Sequence, residues 1–271
     1  MELLSLVLAT LVGMSLGLIG SGGSILTVPI LVYVMGVNPV LATAYSLFIV
    51  GATSLVGGIQ SATQKRVDFK TVFIFGIPSI AAVYATRMWL MPLIPSELFT
   101  IGGMVITKSI ALMLLFAVVM IFASISMIRP GKSEDANENR PMQYNYPMIL
   151  LEGLVVGILT GLVGAGGGFL IIPALVLLAR MPMKLAVGTS LFIIAAKSLI
   201  GFIGDLQGEQ EIDWKLLLEF MGFAVAGIFV GILLSKKIHG DMLKKSFGWF
   251  VLVMGIYIIV KEIFFPGGGT H

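Results

Sequence analysis

Long apolar stretches separated by short polar loops run along almost the whole chain. Ser109–Ile128 and Ser246–Val260 contain no charged residue at all. An α-helix rises about 1.5 Å per residue, so roughly 20 apolar residues cross the hydrocarbon core of a bilayer. Breaks at glycine and polar residues predict ten helical segments, five at 3–19, 24–35, 39–60, 70–90 and 109–128 and five at 147–164, 168–179, 184–204, 214–235 and 246–264.

The composition agrees with a membrane environment. Of 271 residues, 58% are hydrophobic and 11% are charged, whereas soluble domains carry about 25% charged residues. The mean hydropathy is +1.05. The net charge of +3 comes from basic residues in short loops, a distribution that orients membrane helices and does not indicate nucleic-acid binding. We therefore predict an all-α polytopic membrane protein whose surroundings are a lipid bilayer.

The chain contains two copies of one sequence pattern. Gly17–Leu31 matches Gly161–Leu175 without a gap, and Ser46-Leu-Phe-Ile matches Ser190-Leu-Phe-Ile at the same offset. One inserted residue later, Asp68-Phe-Lys matches Asp213-Trp-Lys. We predict a first membrane repeat at 1–128, a charged cytoplasmic linker at 129–146, a second repeat at 147–265, and a disordered tail or expression remnant at 266–271.

Loop charges indicate that the two repeats have inverted topology. The loop Ser61–Lys70 is basic, while its counterpart Asp205–Asp213 is acidic and has no Lys or Arg. Positive charge marks the cytoplasmic side, so equivalent loops face opposite sides. The basic loop Lys236–Lys245 should also be cytoplasmic. That requires the two helical segments on either side of each glycine break to cross the membrane an even number of times, either as two thin spans or as a re-entrant hairpin that does not cross. Both termini then lie outside, and the two short segments are only about 18 Å long.

The two glycine-rich breaks are candidate anion sites. A helix break inside a membrane leaves unpaired N–H groups, which persist where the break is buried in protein or lines a cavity. The short segments begin at Ser24 and Gly168, and a helix N-terminus favours an anion. Paired broken helices that meet near the midplane are typical of secondary transporters. Helix packing by small residues is the alternative; a nucleotide P-loop is excluded because no Gly-Lys-Ser/Thr follows.

Polar side chains near the breaks extend the candidate site. Hydroxyls donate to an oxyanion without a buried charge, although helix–helix hydrogen bonding explains each of them singly as well. Lys197 lies well inside the membrane, where it either contacts the anion or snorkels to the interface. Glu152 is a candidate for proton coupling, with a Glu–Lys pair as its alternative. The predicted substrate-binding set is Gly20, Ser21, Gly22, Gly23, Ser24, Thr27, Ser46, Gly164, Ala165, Gly166, Gly167, Gly168, Thr189, Ser190 and Lys197.

These motifs resemble those of a known family. The doubled glycine-rich motif at Gly17–Leu31 and Gly161–Leu175, each copy followed by a Ser-Leu-Phe-Ile helix, is similar to that of the TauE/SafE sulfite exporters, also called the toluene sulfonate uptake permeases. The resemblance covers both halves. It implies a multi-pass protein of the bacterial or archaeal inner membrane that moves sulfite, sulfonates or related sulfur-containing anions. The first copy departs from the second, with Ser21 and Ser24 in place of Ala165 and Gly168.

The leading hypothesis is a secondary transporter of small sulfur-containing anions that works by alternating access. An anion channel with the same midplane site is the alternative. A membrane enzyme or scaffold has no catalytic pattern in its favour, so no enzyme activity, cofactor or metal is expected. The substrate anion is the expected partner, nucleic acid is not, and a homo-oligomer stays open.

Overall fold

The computed structural model describes residues 2–19, 24–101, 104–128, 146–177, 181–206, 212–235 and 240–264. They form ten helical segments at the predicted positions and one β-hairpin. The predicted tail, and the linker up to residue 145, lie outside the described residues. The helices are α1 (Glu2–Ile19), α2 (Ser24–Val34), α3 (Pro39–Thr63), α4 (Phe69–Leu93), α5 (Lys108–Ile128), α6 (Tyr146–Val163), α7 (Gly168–Leu177), α8 (Met183–Asp205), α9 (Trp214–Ser235) and α10 (Gly240–Phe264).

Several of these helices are long and apolar enough to cross a membrane. In the described part of the chain there are five such spans, which belong to α3, α4, α5, α8 and α9. Shorter apolar helices run over Leu4–Leu18, Ser24–Val34 and Pro147–Val163. The predicted all-α polytopic membrane fold is confirmed.

Polar residues in the loops set where the membrane helices begin. The Asn38 side chain caps α3 by accepting from Val40 N at 2.9 Å, with Pro39 at the first helical position. The Asp68 carboxylate caps α4, where it accepts from Lys70 N and Thr71 N. Asp213, its sequence counterpart, accepts from Leu216 N at 3.1 Å. Such caps satisfy N–H groups that the first helical turn leaves unpaired.

A β-hairpin between α4 and α5 was not predicted. Strands β1 (Glu97–Ile101) and β2 (Met104–Thr107) pair antiparallel. The sequence carries a signal for it, because Gly102-Gly103 separates two runs rich in β-branched and aromatic residues, a pattern typical of a two-residue hairpin turn. In a chain dominated by apolar helices, this short run reads as a loop.

Two wide π-helical turns occur in the first half, one in the short helix α2 and one in the long helix α4. One covers Ile30–Val34 directly after Pro29, and the other covers Thr86–Leu90 just before Pro92. A proline lacks an N–H and its ring clashes with the carbonyl four residues earlier, so the wide turn that precedes Pro92 makes room for the ring. The second wide turn contains Arg87 and, as described below, places it in the protein interior.

Sequence-equivalent helices of the two halves pack against each other in antiparallel directions. A Cβ at Gly51 of α3 would lie 2.9 Å from Leu199 Cγ of α8, while one at Gly58 would lie 3.1 Å from Phe192. As the residue number rises along α3, the contacted number falls along α8. The same holds for α5 and α10, where Gly248 faces Met127 and Gly255 faces Met120.

The remaining major contacts also occur as matched pairs. Helix α1 runs parallel to α9, with Gly13 against Ala224. Its counterpart α6 runs parallel to α4, with Gly153 against Phe75. Small residues at these crossings let the backbones approach closely, as is common between membrane helices. The contact of α1 with α9 therefore corresponds to that of α6 with α4, with the two halves exchanged.

Two equivalent hydrogen bonds hold opposite ends of the helix bundle. The Tyr45 hydroxyl of α3 accepts from Asp213 N at 2.6 Å. The Thr189 hydroxyl of α8 accepts from Asp68 N at 2.9 Å. Tyr45 corresponds to Thr189 in the repeat, and Asp213 corresponds to Asp68. Because α3 and α8 are antiparallel, the two hydrogen bonds lie at opposite ends of this helix pair.

Candidate anion site

The glycine break of the second half is a tight turn between α6 and α7. Gly164, Gly166 and Gly167 have positive φ values of 75°, 65° and 63°, a left-handed conformation that glycine adopts without steric cost. Gly164 N donates to Thr160 O at 2.8 Å and ends α6; Leu170 N donates to Gly167 O at 3.0 Å and begins α7. The equivalent break of the first half, Gly20–Gly23, lies outside the described residues.

This turn is pressed against helices of the first half. A Cβ at Gly164 would lie 2.5 Å from Thr43 Cβ, and one at Gly166 would lie 2.7 Å from Val50 Cγ1. The Ser24 Cβ, at the start of α2, is 3.5 Å from the same position on Gly166. The break of the second half therefore meets the first residue of the short helix in the first half.

Lys197 of α8 brings a positive charge to the turn. Its side chain is buried, with 0% exposure, and its Nζ donates to Thr160 Oγ1 at 2.9 Å. The same Nζ lies 2.9 Å from the place that a Cβ at Gly167 would occupy. Snorkelling to the interface is therefore wrong for Lys197, because the ammonium is held inside the bundle.

Buried hydroxyl groups add donors to the interior. Among the described residues, the hydroxyls of Thr27, Ser46, Ser54 and Ser198 are buried and have no hydrogen-bond partner. Ser54 and Ser198 are equivalent in the two repeats. In a membrane interior, an unpaired hydroxyl costs free energy unless a ligand or water pairs with it. Hydroxyls of this kind can form hydrogen bonds with a polar ligand.

Other residues of the predicted site lie on several different helices. Ser24 is buried, and Ala165 lies within the turn. The hydroxyl of Thr189 is bonded to the backbone of Asp68, and Ser190 Oγ donates to Val187 O at 2.8 Å. Glu152 is half-buried in the second turn of α6 and forms no ion pair with a described residue. It is eight residues, or about 12 Å along the helix, from Thr160.

Arg87 is an interior cation that does not belong to the predicted substrate-binding set. Its side chain is fully buried. Nη1 donates to Thr43 Oγ1 at 3.1 Å and forms an ion pair with Asp205 Oδ1 at 3.3 Å. Thr43 in turn touches Gly164, so Arg87 is linked to the glycine turn through one side chain. The available signal was an arginine within an apolar helical run, which is rarely without a role.

The described residues contain no group of three or more His, Asp or Glu side chains that could hold a metal ion. The interior instead offers cationic and hydroxyl donors to a ligand. Together with the membrane-length helices, these features define a polytopic membrane protein with buried polar groups in its interior.

Comparison with known proteins assigns this membrane protein to a family. The family model described as "Sulfite exporter TauE/SafE" matches residues 5–258, and the chain belongs to that family of membrane transporters. The resemblance seen in the glycine-rich motifs is thereby confirmed. No solved structure matches the chain.

Curated relatives carry transporter names, and the three described here match nearly full length. A "Probable membrane transporter protein" of Xylella fastidiosa is 30% identical over 256 residues, which cover 93% of this chain and 92% of the relative. "Probable membrane transporter protein YunE" of Bacillus subtilis is 29% identical, covering 95% of this chain and 97% of the relative. An archaeal relative of the same description, from Methanocaldococcus jannaschii, is 27% identical with the same coverage.

Proposed function

We propose that this protein is a secondary transporter of small sulfur-containing anions such as sulfite or an organosulfonate. The observation that carries the proposal is the Lys197 ammonium, buried beside the Gly164–Gly168 turn with Thr160 as its one hydrogen-bond partner among the described residues. Removing an ammonium from water costs several kcal/mol, more than one neutral hydroxyl offsets. A bound anion supplies the missing charge and accepts the remaining N–H groups.

The anion lies, in this proposal, between the Gly20–Ser24 and Gly164–Gly168 breaks. The contact of Gly166 with Ser24 supports this position, since it joins the second break to the start of α2. Backbone N–H groups at the starts of α2 and α7, the Lys197 ammonium and hydroxyls such as those of Thr27 and Ser46 are the donors. The family's description supports a sulfur oxyanion as the ligand class.

We propose alternating access between two inverted repeats as the mechanism. Three observations support it: equivalent helices α3 and α8 pack antiparallel, the major contacts occur as exchanged pairs, and equivalent hydrogen bonds close both ends. In an inverted repeat, a rearrangement that opens one end has a symmetry-related counterpart that opens the other. The basic loops then place the central linker and the Lys65 side of the bundle in the cytoplasm.

Binding of candidate anions to purified protein tests the site. A ligand that binds only the folded state raises its thermal stability, so sulfite, sulfate, thiosulfate, sulfoacetate and taurine are compared by thermal shift. We expect at least one of them to stabilise the protein. Replacing Lys197→Met removes a charge-assisted hydrogen bond worth about 1.5–3 kcal/mol, which corresponds to a ten- to hundredfold weaker affinity.

The matched control is Lys215→Met, because Lys215 is a solvent-facing lysine with an 80% exposed side chain on the same protein. It should leave anion affinity unchanged. Equal affinity of wild type and a folded Lys197→Met variant would remove Lys197 from the site.

A further inference from the structure

The interior arginine has a role that the central site does not use. Arg87 is buried in the wide turn of α4, and its ion pair with Asp205 engages only one of its nitrogens. Nη1 serves both Asp205 and Thr43. A guanidinium carries five N–H donors in a fixed plane, so this pairing leaves most of its donor capacity unassigned.

The unassigned donors form one edge of the guanidinium. Nε and Nη2 of Arg87 are both buried and have no hydrogen-bond partner in the described part of the chain. These two nitrogens present parallel N–H groups, the edge that binds two oxygens of a carboxylate, phosphate or similar oxyanion. Leaving buried charged donors unpaired costs more than leaving neutral ones unpaired. The free edge therefore has the donor chemistry that binds an oxyanion.

The position of Arg87 separates this edge from the central site. Its partner Asp205 lies eight residues beyond Lys197 on α8, which is about 12 Å along the helix. Thr43 stands between Arg87 and the glycine turn, touching Gly164 while it accepts from Arg87. The Asp205 side chain is 17% exposed, whereas that of Arg87 is fully buried. The edge thus lies between the exposed end of α8 and the central turn.

We infer that the Nε–Nη2 edge of Arg87 is a second oxyanion site, separate from the one at Lys197. The inference takes its ligand class from the proposed function: a small oxyanion with at least two free oxygens, bound through both. Asp205 and Thr43 hold Nη1 and so fix the plane of the guanidinium, which presents the edge without further ordering. Because Thr43 contacts both Arg87 and Gly164, a single residue separates an anion at Arg87 from the glycine turn.

Anomalous diffraction from crystals grown with selenate tests this inference directly, because selenium marks a tetrahedral oxyanion. We expect selenate at Arg87, with oxygens about 3 Å from both Nε and Nη2. The peak should persist in Lys197→Met, which lacks the central ammonium. It should disappear in Arg87→Lys, which keeps the charge but loses the two-donor edge.

Absence of selenate from Arg87 in the wild-type protein overturns the second site, whether or not the glycine turn is occupied. A peak that survives Arg87→Lys unchanged also overturns it. Selenate at Arg87 but not at the turn keeps the second site and counts against the central one. Selenate affinity of Lys197→Met should fall at least about tenfold on adding Arg87→Lys, a loss of about 1.4 kcal/mol.

Discussion

At the scale of single residues, Gly167 determines how closely the Lys197 ammonium approaches the turn. It has a φ of 63°, and a Cβ there would lie 2.9 Å from Lys197 Nζ and closer still to Thr160 Oγ1. Both the backbone conformation and the space therefore require glycine. The same is not true of Gly76 in α4, where an added Cβ would meet nothing within 4 Å.

We expect Gly167→Ala to weaken anion binding and to destabilise the fold by at least about 1 kcal/mol, because alanine is strained at positive φ. Gly76→Ala is the matched control and should be neutral or slightly stabilising, since alanine favours a helix interior. Thermal unfolding and anion titration of both variants measure this. A Gly167→Ala protein with wild-type stability and affinity would show that the turn tolerates a side chain and serves packing alone.

At the scale of helices, the proposed alternating access predicts that the bundle opens at the two equivalent end contacts. Tyr45→Phe removes the hydroxyl that accepts from Asp213 N, and Thr189→Val removes the one that accepts from Asp68 N. A net hydrogen bond is worth about 1 kcal/mol, so each change should raise the population opened at its own end about fivefold. The rest of the packing stays in place.

Thiol labelling measures this opening. Ser46→Cys lies next to Tyr45 and Ser190→Cys next to Thr189, and both positions are buried. Tyr45→Phe should speed labelling of the cysteine at 46, and Thr189→Val should speed labelling of the one at 190. If either change speeded labelling of both cysteines equally, the result would contradict alternating access, in which opening one end closes the other.

The sequence predicted the helices well, and physical reasons explain what it missed. Ten apolar segments were located because membrane helices need long uncharged runs. The β1–β2 hairpin was missed because its strands are short. The roles of Arg87 and Lys197 depend on which neighbour each side chain meets. Neither the bond to Asp205 nor the bond to Thr160 follows from spacing along the chain.

At the scale of the whole molecule, inverted topology makes a prediction about the sidedness of two loops. Gln64 lies in the basic loop after α3, and Gln210 lies in the acidic loop that follows α8. Inverted repeats place equivalent loops on opposite sides of the membrane. The chain has no cysteine of its own, so single cysteines at these positions report without background.

We expect an impermeant thiol reagent to label Gln64→Cys from the cytoplasmic side and Gln210→Cys from the outside. Labelling in intact cells, compared with inverted membrane vesicles, separates the two. The control is labelling of both variants in detergent, where each should react. If both positions react from the same side, the halves are not inverted.

Counterflow in proteoliposomes tests the central claim, alternating access of an anion at the Lys197 site, most directly. Vesicles are preloaded with unlabelled sulfite, and entry of radiolabelled sulfite is followed. We expect uptake that saturates with concentration, speeds up with the preloaded anion, and is lost in Lys197→Met but kept in Lys215→Met. Uptake that rises linearly with concentration, does not depend on the preloaded anion and carries an ohmic current would contradict alternating access and identify a channel. If no sulfite enters at all, sulfite is not the substrate.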